Sequence, residues 1–281
     1  MENHSNNELT QRQQREIDYH KSHAEKNKAL VINKSVSTSI STQSERRWWN
    51  AYWHTYTRIR EFDVKDKNVL IIGCGFGEDA IRLRALGAKV TAFDISQESI
   101  VIAKERAKRQ NYDDINFDVM PSEKLSYVDR SFDMIVAVDI LHHVDIPATF
   151  LELSRVAKPG CIFVCDEIYS HSFLSKIRNS NFVNNFLYAR MVKWVYGEDV
   201  PYITEDERKL DDKEREFLVS QLKDVDVRYF NFFVGRVMPD RFQSVAKLDQ
   251  ILLRLLFPLG HLLSARFVMT GTMSTVKPEN Q

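Results

Sequence analysis

Apolar and polar positions alternate through the middle of the chain in blocks that predict strand, helix, strand, helix. Val69–Ile72 are four consecutive apolar residues, the pattern of a short strand covered on both faces. They run into glycines at 73, 75 and 77, after which Ala80, Ile81, Leu83 and Leu86 recur at helical spacing. Ala88–Ser96 reads as a second strand that ends in an acid, Asp94, and Ser96 is placed to cap a helix over Gln97–Gln110. A short strand begins at Ile115 and gives way to a loop before Leu125. A longer apolar strand follows Ser131-Phe132-Asp133 and runs to Leu141-His142-His143-Val144. Phe150–Ala157 predicts a short helix, Lys158-Pro159-Gly160 a break, and Cys161–Ile168 a further strand. Strand and helix alternating from Val69 to Ile168 argue for a parallel α/β sheet.

The flanks differ. Residues 1 to about 40 are polar and rich in Gln and Asn. They predict a disordered or loosely docked arm, with a helix over Ile17–Leu30 and a mobile Ser/Thr loop over Ser35–Ser44. Trp49, Tyr52, Trp53, Tyr56 and Ile59 fall on one helical face, as a packing stripe or as a lid before the first strand. Beyond Tyr169, the aromatic and basic stretch His171–Tyr196 predicts helices inserted over the sheet edge. Leu210–Leu222 predicts a helix, Val225–Phe233 a strand, and Arg266–Thr272 the last strand. Leu248–Leu263 is leucine-rich but interrupted by Arg254, Pro258 and His261, so it is no transmembrane span. It predicts an amphipathic helix that is buried, forms a homodimer, or makes peripheral membrane contact through 248–263. The expected segments are an arm with aromatic helices (1–62), an α/β core (63–168), an inserted helical cap (169–224) and C-terminal strands with the leucine-rich helix (225–281).

Composition narrows the function. The 281 residues are 43% hydrophobic and 28% charged, with 39 basic and 39 acidic residues and a formal net charge of zero. No global field draws such a chain to nucleic acid, so no nucleic-acid partner is expected. Cys161 and Cys165 lie four apart in one predicted strand, roughly 13 Å between Cα atoms, too far for a disulfide. With Cys74 they read as small buried hydrophobes of a reducing, cytoplasmic compartment. Met1–Gln14 has no apolar segment, which argues against a signal peptide.

The chemistry gathers where strands meet loops. Dinucleotide folds use G-x-G-x-x-G; here the third glycine comes one residue early, and Glu78 and Asp79 follow it. Two acids are poor neighbours for a pyrophosphate and better ones for a cofactor with a positive centre. Asp94 stands 21 residues after Gly73, at the end of the second strand. There a carboxylate can accept hydrogen bonds from both hydroxyls of a ribose.

The glycine turn resembles motif I of the class I S-adenosylmethionine (SAM)-dependent methyltransferases, and Ser131–Val144 resembles their motif IV. The resemblance covers residues 66 to 168. It implies a Rossmann-like α/β fold: a seven-stranded, mostly parallel sheet, helices on both faces, and an antiparallel last strand. It also implies SAM as cofactor. Gly73, Cys74, Gly75 and Gly77 would admit the methionine moiety, Asp94 with Ile95 beside it would hold the ribose, and Ser122 and Glu123, with Met120, would contact the adenine. Val138 and Asp139 would lie beside the methionine, and His142 and His143 near the reacting methyl. Two positions depart from the pattern. Pro121 stands where the family often has an Asp, and Ile71 where it commonly has an acid two residues before the first glycine, a place that Glu78 or Asp79 could compensate. For the histidines three readings stay open: packing or a loop hydrogen bond, a general base for an acceptor hydroxyl, and metal ligation. Adjacent residues present both rings to one ion only with difficulty. Asp166 and Glu167 either line the acceptor pocket or orient a loop.

The function expected is transfer of the SAM methyl group to a hydroxyl, amine or carbon of a small-molecule, sugar or lipid-like acceptor. The rivals are a non-catalytic SAM-binding scaffold, which Ile71 favours, and an NAD-dependent oxidoreductase, which the early third glycine disfavours.

Overall fold

Seven strands form one sheet in the order β3-β2-β1-β4-β5-β7-β6. The computed structural model describes residues 10–43, 47–169, 190, 193–195, 209–235, 237–239 and 241–274. The strands are β1 (Asn68–Ile72), β2 (Lys89–Asp94), β3 (Asn116–Val119), β4 (Phe132–Val138), β5 (Ala157–Ile168), β6 (Leu222–Phe230) and β7 (Arg266–Met273). β1 lies between β2 and β4, parallel to both, with Leu70 opposite Thr91 on one side and Ile135 on the other. This central place explains its unbroken apolar run: Val69, Leu70, Ile71 and Ile72 are all buried. Only β7 runs antiparallel, inserted between β5 and β6. The expected sheet, with its antiparallel last strand, is the one found.

Three helices precede the sheet: α1 (Gln11–Ile32), α2 (Ser39–Thr42) and α3 (Ala51–Glu61). Among the described residues four more lie between the first five strands and before β6: α4 (Glu78–Ala85), α5 (Gln97–Arg109), α6 (Ile146–Val156) and α7 (Asp212–Ser220). Two follow β6, α8 (Gln243–Leu255) and α9 (Gly260–Leu263). Two apolar cores flank the sheet. One gathers Leu70, Phe93, Phe150 and Phe163, the other Val69, Ile81, Ile100 and Tyr56.

The N-terminal expectation is corrected in two places. α1 starts six residues before Ile17, because Thr10 and Gln13 cap it reciprocally: Thr10 Oγ1 accepts the Gln13 N–H, and Gln13 Oε1 accepts the Thr10 N–H. The Ser/Thr stretch is held rather than free. Val36 and Ser41 are buried, and both backbone groups of Val36 pair with the Gln110 side chain. A third change concerns Lys158-Pro159-Gly160, which interrupts β5 from within. The strand register against β4 shifts there and Gly160 takes φ +81°, so the predicted turn is an irregularity inside one strand. The predicted helices over His171–Tyr196 fall almost wholly outside the described residues. The leucine-rich stretch divides into α8 and α9 around Leu256–Leu259. Cys74, Cys161 and Cys165 are all free thiols.

Candidate active site

The carboxyl ends of β1, β2, β3 and β4 open on a cavity of about 290 Å³, where ligands bind in sheets of this kind. Gly73 and Gly75 come from the turn after β1, Asp94 and Ile95 from the end of β2, Ser122 and Glu123 from the loop after β3, and Asp139 and His143 from beyond β4. Gly75 has φ +49°, and a Cβ placed on it would meet no atom within 4 Å. The missing side chain leaves open space on the cavity wall, which fits the close backbone approach a cofactor needs. Gly77 serves a different purpose. A Cβ there would stand 2.9 Å from Ala103 Cβ on α5, so this glycine lets α5 approach the turn, and it does not line the cavity.

Asp94 holds the turn from below. Its Oδ2 accepts the Gly75 N–H and its Oδ1 the Ser96 N–H, each at 2.9 Å. Each carboxylate oxygen keeps a second lone pair for a diol. Ser122 Oγ lies 2.8 Å from Thr149 Oγ1, and Glu123 accepts the Asp145 N–H at 3.0 Å. Ile95 lines the wall beside Asp94, whereas Cys74 and Val138 lie outside the lining and pack into the core.

The two histidines part company. His142 is 3% exposed and lies away from the cavity. Its Nδ1 is 2.8 Å from Glu167 Oε2, while Glu167 Oε1 accepts the N–H groups of Ile140 and Leu141. Glu167 thereby fixes the loop after β4, and neither it nor Asp166 lines the cavity. Asp166 instead accepts bonds from Thr55 and Arg266, and burial pushes its carboxyl up to about 6 against the pull of Arg266. His143 does line the cavity, and its Nδ1 is 3.1 Å from Glu16 Oε1. With the carboxylate as acceptor, the network assigns the proton to Nδ1 and leaves Nε2 as the basic nitrogen.

Glu16 belongs to α1, which sequence reasoning left as a polar arm. Gln13, Glu16, His20 and His23 all line the cavity. Gln13 Nε2 donates to Glu123 Oε2 at 3.1 Å, Arg12 donates to the His142 carbonyl at 2.9 Å, and the His23 ring stacks on Phe76. Burial raises the Glu16 carboxyl, but the hydrogen bond with His143 and the charges of His143 and of His20, 3.6 Å away, outweigh it and hold it down at about 2. The signal was present in the spacing. Positions 13, 16, 20 and 23 fall on one face of a helix, and all four carry hydrogen-bonding side chains.

The aromatic helix α3 does not reach the cavity. Tyr52 and Tyr56 both donate to Asp79 Oδ1, and Tyr56 is 2% exposed. Trp48 and Trp49 lie under Arg254 and Lys247 of α8. Asp79 and Glu78 are therefore engaged elsewhere, Glu78 by Arg82 and Arg106, and neither lines the cavity in place of the acid missing at Ile71. Asp139 does line the cavity, and its Oδ1 accepts a bond from Arg266. Among the described residues no cluster of three or more His, Cys, Asp or Glu could hold a metal ion.

Comparison with known proteins agrees with this geometry. A family model described as a methyltransferase domain matches residues 63–218, more than half of the chain, and the chain belongs to that family. Its class is that of the class I SAM-dependent methyltransferases, with SAM as cofactor. Norajmaline N-methyltransferase of Rauvolfia serpentina is 33% identical over 40% of this chain and 39% of its own length. The 27-O-demethylrifamycin SV methyltransferase of Amycolatopsis mediterranei is 38% identical over 33% and 35%. The chain thus spans well under half of these two relatives. Geranyl diphosphate C-methyltransferase of Streptomyces coelicolor shares the fold at a TM-score of 0.54 and 13% identity, over 95% of this chain and 99% of that one.

Proposed function

We propose that this protein transfers the methyl group of SAM to a small molecule whose nucleophile must lose a proton, most simply a hydroxyl. One observation carries the acceptor half of this reading: an imidazole on the cavity wall, His143, is paired through Nδ1 with a buried carboxylate, Glu16. A neutral amine or a carboxylate needs no such pair to attack the methyl. The names of the relatives span N-methyl transfer, a substrate described by its free oxygen, and C-methyl transfer, so they favour a small acceptor without choosing its atom.

SAM when bound supplies an electrophilic methyl on a sulfonium. The residues present fit it: Gly73 and Gly75 would leave room for the methionine chain, Asp94 would accept from the ribose, and Ile95, Ser122 and Glu123 would flank the adenine. Asp139 on the wall would stand in for the acid missing at Ile71 as partner for the cofactor amine. His143 takes the acceptor proton at Nε2, and Glu16 holds the ring and balances its charge. The chain otherwise contributes position and a shielded pocket. The oxidoreductase rival finds no support in the family match.

The test is an acceptor screen with SAM, reading S-adenosylhomocysteine release and product mass. Alcohol and phenol acceptors should be methylated by wild type. Folded protein that fails to bind SAM would sink the methyltransferase reading, and transfer at an undiminished rate by His143→Ala would sink the base assignment alone.

A further inference from the structure

Helix α8 is turned opposite to the usual amphipathic arrangement. Its buried positions are Ala246, Asp249, Gln250 and Leu253, whereas Leu248, Ile251 and Leu255 are exposed. The acid faces inward because the loop after β6 requires it. The Asp249 carboxylate accepts the N–H groups of Phe232, Phe233 and Val234 at 2.7–3.1 Å, and Gln250 Nε2 donates to the Tyr229 carbonyl at 3.2 Å. These bonds fix the rotation of the helix. Turning the leucines inward would strand three backbone donors.

The apolar stripe at 248, 251 and 255 continues past the helix into Phe257, 78% exposed, Leu259 and Leu262. Beside it run cations. Lys247 and Arg254, seven apart on one row, lie 4.6 Å over the rings of Trp49 and Trp48, and Arg241 precedes the helix. Between residues 241 and 263 the only acid in the sequence is Asp249, which is buried. The surface is therefore apolar and cationic, with indole rings beneath the cations.

We infer that this face docks on a membrane surface bearing anionic phospholipid. Leucine and phenylalanine side chains enter the boundary between headgroups and acyl chains, the cations meet lipid phosphates, and the tryptophans suit that depth. Charge selects lipid over a second copy of the chain. Two such faces packed together would oppose their Lys and Arg rows with no acid to receive them, whereas an anionic leaflet neutralises them. No helix of the described residues is long and apolar enough to cross a membrane, so the contact is one of lying on the surface. It stands independently of the acceptor and of the methyltransferase reading.

Flotation of the full chain with vesicles tests this, using phosphatidylcholine alone and an equal mixture of phosphatidylcholine and phosphatidylglycerol. Wild type should float with the mixed vesicles and not with phosphatidylcholine, and high salt should release it. Leu255→Glu with Phe257→Glu should cut the bound fraction at least about tenfold, with circular dichroism unchanged. Arg254→Gln should weaken binding without abolishing it. No flotation on the mixed vesicles, equal flotation on both, or undiminished flotation of the Glu variant would each overturn the inference. So would a wild-type dimer that the Glu variant dissociates in the absence of any vesicle binding, since the face would then be a self-association surface.

Discussion

Helices α1 and α3 both precede the sheet, and both carry side chains that donate to acids, Gln13 to Glu123 and the tyrosines to Asp79, yet they do opposite things. The conspicuous aromatic stripe of α3 allows two readings, a packing face or a lid. Its tyrosines are spent on Asp79, Tyr56 is buried in the core, and none of it lines the cavity. α1 looked like a solvated arm because it is polar, and it closes the cavity with Gln13, Glu16, His20 and His23. A polar helical face has two destinations, bulk water or a site that uses polar groups, and hydropathy does not separate them. An aromatic face in a soluble domain most often packs, and here it does.

The largest expected effect falls on the α1 side. His143→Ala should lower turnover about 10²–10⁴-fold, the scale of general-base catalysis, with affinity for S-adenosylhomocysteine unchanged by calorimetry. If affinity falls and turnover per bound cofactor does not, His143 belongs to the cofactor site instead. On the α3 side the readout should be stability. Tyr56→Ala should cost about 3 kcal/mol in urea unfolding, while the variant that remains folded binds S-adenosylhomocysteine normally. A Tyr56 variant of full stability with weakened binding would restore α3 as the lid. Glu16→Gln should slow turnover roughly tenfold, the loss of one charge-assisted hydrogen bond behind the base, and lower the urea midpoint at neutral pH, where the ionised carboxylate contributes stability.

The smallest effects are in pH, and their signs oppose. Glu16 is held at about 2 from an ordinary 4.5. Its contribution is present above 4.5 and is lost as pH falls toward 2. Asp79 is shifted the other way. Burial raises its carboxyl from 3.8 to about 6, against the Tyr56 hydrogen bond. Its contribution is present below 3.8 and is lost as pH rises through 6. Stability measured against pH should therefore lose its decline between these values in Asp79→Asn, and lose part of its acid decline in Glu16→Gln. The same slope in each variant as in wild type would remove the respective assignment.

How far the sequence carried follows from where each signal lives. β1, the glycine turn, Asp94 and Ser96 are local: apolar run, glycine spacing, strand-end acid and cap are readable in one short stretch, and they lie where the pattern put them. The separation of His142 from His143 was not readable, because it depends on Glu167 in β5 and Glu16 in α1, which are distant in the chain. Gly77 is similar. Its neighbour Ala103 sits one helix away, so the sequence could not distinguish a glycine for a ligand from a glycine for helix packing. The outward leucines of α8 mislead for the same reason, since Asp249 is drawn inward by backbone donors of another segment.

Hydrogen exchange with and without saturating S-adenosylhomocysteine tests the central claim, that a SAM site at the sheet edge is closed by α1. The account predicts added protection over residues 11–32 and at residues 73–77, with no change over 51–61. Protection confined to 51–61, or no change in 11–32 while the turn at 73–77 is protected, would contradict it.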